Sequence, residues 1–162
     1  MGKEEKIQIT VKIRVKDMFY FMMYHTYYSM GGIVSLLFSL ISFVILLVTW
    51  EKVDLPYQAL LMICALLFTV VNPILLYVRS MKQVKLSPAL KKPILYTFYD
   101  RGFSMQQEKE KASAQWNELW KIVDKRHYIL LYGDRVHANI LPKDQMDGKE
   151  KEISAWIKES RK

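Results

Sequence analysis

The chain has 162 residues, of which 51% are hydrophobic and 25% charged, with a formal net charge of +8 and a single cysteine, Cys64. All 40 formal charges fall in 105 residues, because the 33 residues between Asp17 and Glu51 and the 24 between Asp54 and Arg79 carry none. This segregation excludes a single water-soluble domain, a disordered chain and a disulfide-stapled scaffold.

In residues 1–16, Ile7, Ile9, Val11, Ile13 and Val15 alternate with Gln8, Thr10, Lys12 and Arg14, the period-two pattern of a half-buried strand. Such a strand alone would be an unpaired edge, so it needs a partner, either later strands of the same domain or a second copy in a dimer. Asp17 is expected to cap an interfacial helix over residues 17–30, which is too aromatic to stay in water. His25 in that helix has no second ligand at i+3 or i+4, which suits packing or hydrogen bonding.

A helix rises about 1.5 Å per residue, so a hydrocarbon core of about 30 Å is crossed by about 20 apolar residues. Residues 31–50 and 56–78 each meet that length and are predicted as two transmembrane helices. Neither reads as a cleaved signal peptide, since the first starts behind a polar segment and no A-x-A site follows it. The outer loop, residues 51–55, is short enough to make them a hairpin with both termini on one side. Lys3, Lys6, Lys12, Arg14 and Lys16 precede the hairpin, Arg79, Lys82, Lys85, Lys91 and Lys92 follow it, and the loop has Lys52 alone. Basic residues are retained on the cytoplasmic side, so the expectation is a multi-pass protein of the cell membrane with both termini cytoplasmic. Trp50 and Tyr57 would then mark the outer interface, and Tyr27, Tyr28 and Tyr77 the inner one.

Small residues recur along each span: Gly31, Ser35, Ser39 and Ser42 on the first, Ala65, Thr69 and Asn72 on the second. They are read as helix-packing stripes in preference to a transport path, since two helices alone enclose no pore. Pro73 lacks the amide that would bond the Thr69 carbonyl, so a kink is expected there.

Residues 79–93 form a basic linker in which Pro88 and Pro93 should end any helix. The cytoplasmic domain, residues 94–162, shows six short strand-like runs at 94–99, 103–107, 112–116, 119–124, 127–132 and 136–141, with turn residues between them. It ends in an amphipathic helix that spaces Ile153, Trp156 and Ile157 on one side. With the N-terminal strand this makes seven. The predicted fold is an α+β membrane protein, a transmembrane hairpin inserted in a pleckstrin-homology-like beta domain capped by the C-terminal helix.

Chemistry is sparse. Of the three histidines, His127 and His137 fall in adjacent predicted strands and can be near neighbours, but a zinc site needs more ligands and Cys64 sits in the second span. No metal or other cofactor is expected. The chain has no G-x-S-x-G, H-E-x-x-H, phosphate-binding glycine loop or CxxC, so no catalytic residue is assigned and no enzyme is expected. Residues 79–162 hold eighteen basic against eleven acidic residues. Because this segment would lie beside an anionic leaflet, Arg79, Lys82, Lys85, Lys91 and Lys92 are candidate contacts to lipid headgroups, and no nucleic acid is expected. Setting topology explains the same five residues equally well.

Several stretches resemble the YcxB-like family of Gram-positive bacteria: KDMFYFMMYHTYYSMGGIVSLLFSL, FTVVNPILLYVRSMKQVK, KKPILYTFYDRGFSM, AQWNELWKI and ANILPKDQM. The resemblance implies a two-span bacterial membrane protein with a small cytoplasmic beta domain, and it brings no catalytic residue. Trp116 matches the family's central tryptophan, read as a core or strand-end anchor. Leu141, Pro142 and Lys143 match its late leucine-proline-lysine, with Pro142 ending the last strand. The expected role is a non-enzymatic module in the lipid bilayer whose domain binds a protein partner, an anionic headgroup or a second copy. The alternative is an accessory or oligomeric subunit of a transporter or immunity system acting through its helices.

Overall fold

The computed structural model describes residues 6–159, so Lys3 and the last three residues of the expected terminal helix lie outside the described residues. Contacts divide the chain into two units, one spanning residues 18–83 and the other combining the N-terminal segment to Asp17 with residues 84 onward.

The first element is β1 (Ile7–Val11), with Ile7, Ile9 and Val11 buried and the residues between them exposed. Helix α1 (Val15–Tyr27) begins two residues earlier than the sequence implied. Asp17 therefore works from inside the first turn. Its carboxylate reaches back to accept the Arg14 amide at 3.0 Å and the Arg14 Nε at 2.9 Å. The aromatic run does not extend unbroken to residue 30. Ser29 adopts an extended conformation and accepts the Gly32 amide on its Oγ at 3.0 Å, which starts a new helix, α2 (Met30–Thr49).

The second apolar stretch is helical from Leu55 to Leu86 as α3 (Leu55–Leu66), a π-helical segment (Leu67–Val71) and α4 (Asn72–Leu86). Residues 79–86 of the basic linker continue α4, since no proline or glycine interrupts them before Pro88. Ser87 and Pro88 end that run and open one further turn, α5 (Pro88–Lys91). By length and composition, α2 and the helix from Leu55 to Leu86 can each cross a membrane. Only 22% and 11% of their most apolar windows are buried.

The other unit is built from two antiparallel sheets. One has the order β1, β2 (Ile94–Tyr99), β3 (Gly102–Gln107) and β4 (Glu110–Gln115). The other has the order β5 (Lys121–Asp124), β6 (Tyr128–Tyr132) and β7 (Ala138–Pro142). β1 pairs with β2 in the same chain, Ile7 opposite Phe98 and Val11 opposite Ile94, so the N-terminal strand needs no second copy for a partner. The connection between β3 and β4 is a tight two-residue turn at Glu108-Lys109. Glu108 takes a φ of 53° in the turn, and Glu110 and Lys111 are already paired with Gln107 and Gln106. In β6, Ile129 to Tyr132 are all buried, so the middle strand of the small sheet is covered on both faces. Tyr96, Phe98 and Phe103 from the large sheet and Ile140 and Leu141 from the small one belong to the core. Helix α6 (Glu150–Glu159) adds Ile153 and Ile157 from one face.

Candidate functional site

The helical unit buries several of its small and polar side chains. On α2 the buried residues are Gly32, Ser39, Ser42 and Leu46, while Leu37, Phe38, Val44 and Leu47 are exposed. The stripe is therefore shifted from the expected one at its start. Gly31 is exposed with nothing near its missing side chain, whereas a Cβ on Gly32 would stand 1.8 Å from the Thr26 carbonyl oxygen. Sequence spacing alone does not separate the two adjacent glycines. The phase is set by the Ser29 cap, which turns Gly32 toward the end of α1. Ser35 is half-buried, Ser39 Oγ donates to the Cys64 carbonyl at 2.9 Å, and Ser42 Oγ returns to the Phe38 carbonyl at 2.9 Å. On the opposing helix Ala65 is buried and Asn72 half-buried, but Thr69 is exposed and its hydroxyl donates to the Ala65 carbonyl of its own helix at 2.7 Å, so the expected stripe is broken at Thr69.

Asn72 and Pro73 sit just after the π-helical segment. Here each amide bonds a carbonyl five residues back, as Asn72 N does to Leu67 O. In that register the amide missing at Pro73 would have served Phe68, not Thr69. The Phe68 carbonyl finds another donor: Tyr27 Oη from α1 reaches it at 2.5 Å, and Asn72 Nδ2 donates to the same Tyr27 oxygen at 3.3 Å. Tyr27, read from the sequence as an interface marker, is therefore a partner in a polar knot with Phe68 and Asn72. A missing proline amide within reach of a tyrosine was the available signal. Asn72 is satisfied within the chain, and among the described residues no buried side-chain polar atom lacks a partner.

In the β unit, Trp116 opens a 3-10 turn directly after β4 and is fully buried. Its ring stacks on Phe98 at 6.1 Å and its Nε1 donates to the Tyr99 carbonyl at 3.2 Å. Leu141 and Pro142 are buried at the end of β7, and Lys143 forms an ion pair with Asp124, which also accepts Ser154 Oγ from α6. The next two residues hold the N-terminal strand. Gln145 bonds the Lys12 amide at 2.8 Å and the Lys12 carbonyl at 3.1 Å. Asp144 receives Arg14 and Lys16, whose hydrogen bonds lower its carboxyl to a pKa of about 2, and Arg14 is raised by bonds to Asp17 and Asp144. Asp144 and Gln145 were not singled out from the sequence, because their partners lie 130 positions away.

Arg79, Lys82 and Lys85 stand three residues apart on α4, Lys91 ends α5, and all five candidate headgroup residues are exposed. Lys92 is paired with Glu108 at 2.7 Å. The five are not brought into one pocket. A shallow cleft of about 460 Å³ lies elsewhere, lined by Tyr99, Arg101, Gly102, Ser113, Gln115 and Glu118 among others. Its acids serve local backbone: Glu118 accepts the Gln115 amide and Asp100 the Arg101 amide. His127 and His137 are not neighbours. β6 and β7 run antiparallel, so Tyr128, beside His127, faces Pro142, while Tyr132 faces Ala138, beside His137. The pair sits at opposite ends of the hairpin. His137 instead contacts Asp134 at 2.8 Å, and with the loop amides it lowers that carboxyl to about 2. Among the described residues no three His, Cys, Asp or Glu side chains group to hold a metal ion.

No curated protein matches the chain. Residues 98–158, from β2 through Trp116 and the Leu141-Pro142-Lys143 turn into α6, match the model of the YcxB-like protein family. Over that segment the chain is similar to the YcxB-like family, which supports the family assignment read from the sequence motifs.

Proposed function

We propose that the chain is a non-enzymatic integral protein of a bacterial cell membrane, with both termini cytoplasmic, whose β unit binds a protein partner or anionic lipid at the inner face. The observation that carries this reading is the inverted burial of α2. Serines and a glycine are inside, while Leu37, Phe38, Ile41, Phe43, Val44, Leu47 and Val48 are about half or more exposed. In water that arrangement would leave far more contiguous apolar surface than soluble monomers tolerate. In hydrocarbon it is the expected one, since leucine gains nothing by leaving lipid and small residues let helices approach.

Sheets of four and three strands with a C-terminal helix agree with a pleckstrin-homology-like outline. Domains of that outline host both protein and lipid binding, which supports the binding role by analogy. The accessory-subunit alternative stands second, because Asn72, the polar handle it would use, is already engaged by Tyr27.

Single-cysteine variants of the full chain in a Cys64→Ser background test the topology. A membrane-impermeant maleimide on intact cells should label Lys52→Cys, and should label Asn117→Cys only after permeabilisation. Labelling of Asn117→Cys on intact cells would reverse the orientation and remove the inner-face role.

A further inference from the structure

The four-stranded sheet has two edges, β1 and β4, and the chain itself closes one of them in part. Beside β1 the Gln145 side chain takes both backbone groups of Lys12, the place an incoming strand would fill. Along β4 the residues Glu110, Lys111, Ala112, Ser113 and Gln115 are exposed.

The pairing decides which backbone groups the β4 edge offers. The Trp116 amide donates to the Arg101 carbonyl at 3.1 Å, and the same antiparallel register sets Ala114 opposite Phe103 and Ala112 opposite Met105. Hydrogen-bonded pairs alternate in such a ladder, so Trp116, Ala114 and Ala112 bond toward β3 while Gln115, Ser113 and Lys111 face outward. Two contacts agree with this phase. A Cβ on Gly102 of β3 would collide with the Ala114 carbonyl oxygen, and the Gln115 amide is met outside the sheet by the Glu118 carboxylate at 2.8 Å. Glu118 thus stands where the carbonyl of a further strand would. In line with it, the amides and carbonyls of Lys111 and Ser113 remain open. The stretch Ala112-Ser113-Ala114 has no charge, proline or bulge, the usual guards of an exposed edge.

The cleft of about 460 Å³ opens at the same place, with Ser113, Gln115 and Glu118 on one side and Tyr99 and Arg101 on the other. Charge does not select an occupant there. Arg101, Lys109 and Lys111 are balanced by Asp100, Glu110 and Glu118, and Lys92 by Glu108. Backbone geometry does select one. Donor and acceptor pairs at positions i and i+2 are matched by an extended peptide, which gains affinity from main-chain bonds and specificity from a side-chain pocket.

We propose that the β4 edge takes an extended, proline-free segment of a partner protein as an added antiparallel strand, with one of its side chains in the adjoining cleft. The proposal rests on the protein-partner arm of the reading above.

The test uses the full chain in lipid nanodiscs. Without ligand, amide exchange read by NMR should be fast at Lys111 and Ser113 and slow at Ala112 and Ala114. A phage library of random linear peptides is then selected against these discs, with empty discs removing lipid binders. Enriched peptides should protect the Lys111 and Ser113 amides. They should bind Ser113→Pro about tenfold more weakly, since the lost amide points out of the sheet and leaves the ladder to β3 intact. Methylating the peptide's own amides should abolish binding at alternate positions only, a result that does not depend on any variant folding. Salt should change the affinity little. No enrichment, unprotected Lys111 and Ser113, or methylation without alternation would overturn the proposal and leave the membrane reading standing. Protection of the two amides without peptide, present in discs holding two chains and lost in discs holding one, would make a second copy the occupant and also overturn it. Reversed topology in the maleimide experiment would instead remove the inner-face reading, whatever the edge binds.

Discussion

The two units solve opposite packing problems with the same alphabet. In the β unit Trp116, Phe98, Leu130 and Leu141 are inside and lysines outside. In the helical unit Ser39, Ser42 and Ala65 are inside beside Leu46 and Leu76, while Leu37, Phe38, Ile41 and Leu47 are outside. The contrast shows that hydrophobicity alone does not say which side of a helix is its core. In one unit burial removes apolar surface from water. In the other the seam is chosen for close approach and for hydrogen bonds such as Ser39 to Cys64.

Large-to-small substitution probes the contrast most strongly. Trp116→Ala should cost about 3–5 kcal/mol in the β unit, read by chemical denaturation of the full chain in mild detergent. Phe38→Ala, removing an exposed ring of comparable size, should leave the midpoint nearly unchanged; equal losses would erase the distinction. Adding one methyl to the seam is the reverse probe. Gly32→Ala should destabilise the helical unit by about 1–3 kcal/mol through its clash with the Thr26 backbone, and Gly31→Ala should be neutral by the same assay. If the two glycines respond alike, the helical phase described for α2 is wrong.

The polar knot gives a smaller effect. Tyr27→Phe leaves the Phe68 carbonyl unserved beside Pro73 and should cost about 1–2 kcal/mol, with faster amide exchange across Leu67–Val71. The smallest effect is electrostatic and sits in the β unit. Asp144 has a lowered carboxyl pKa, so its stabilisation is present above the unfolded value near 3.8 and disappears as pH falls toward about 2. With both partners substantially exposed, Asp144→Asn should cost less than about 1 kcal/mol at neutral pH, and the denaturation curves of variant and parent should converge in acid.

Much of this architecture is legible locally. The period-two run at Ile7–Val11 and the run at Ile94–Tyr99 read as strands because their spacing is short-range. The uncharged stretches read as long helices for the same reason. What stayed hidden depends on partners far along the chain or on helical phase. The choice of Gly32 over Gly31 follows from the Ser29 cap. The antiparallel hairpin parts His127 from His137, although their strands are adjacent. The helix α4 runs on past the apolar stretch to Leu86 and stops just before Pro88, where the proline was expected to end it. Asp144 and Gln145 gain their meaning only when β1 returns beside them.

Alkaline carbonate extraction of membranes from cells expressing the full chain tests the central claim most directly. The account predicts that the protein stays in the membrane pellet and is released only by detergent. Recovery as a monodisperse soluble species in detergent-free buffer would contradict it.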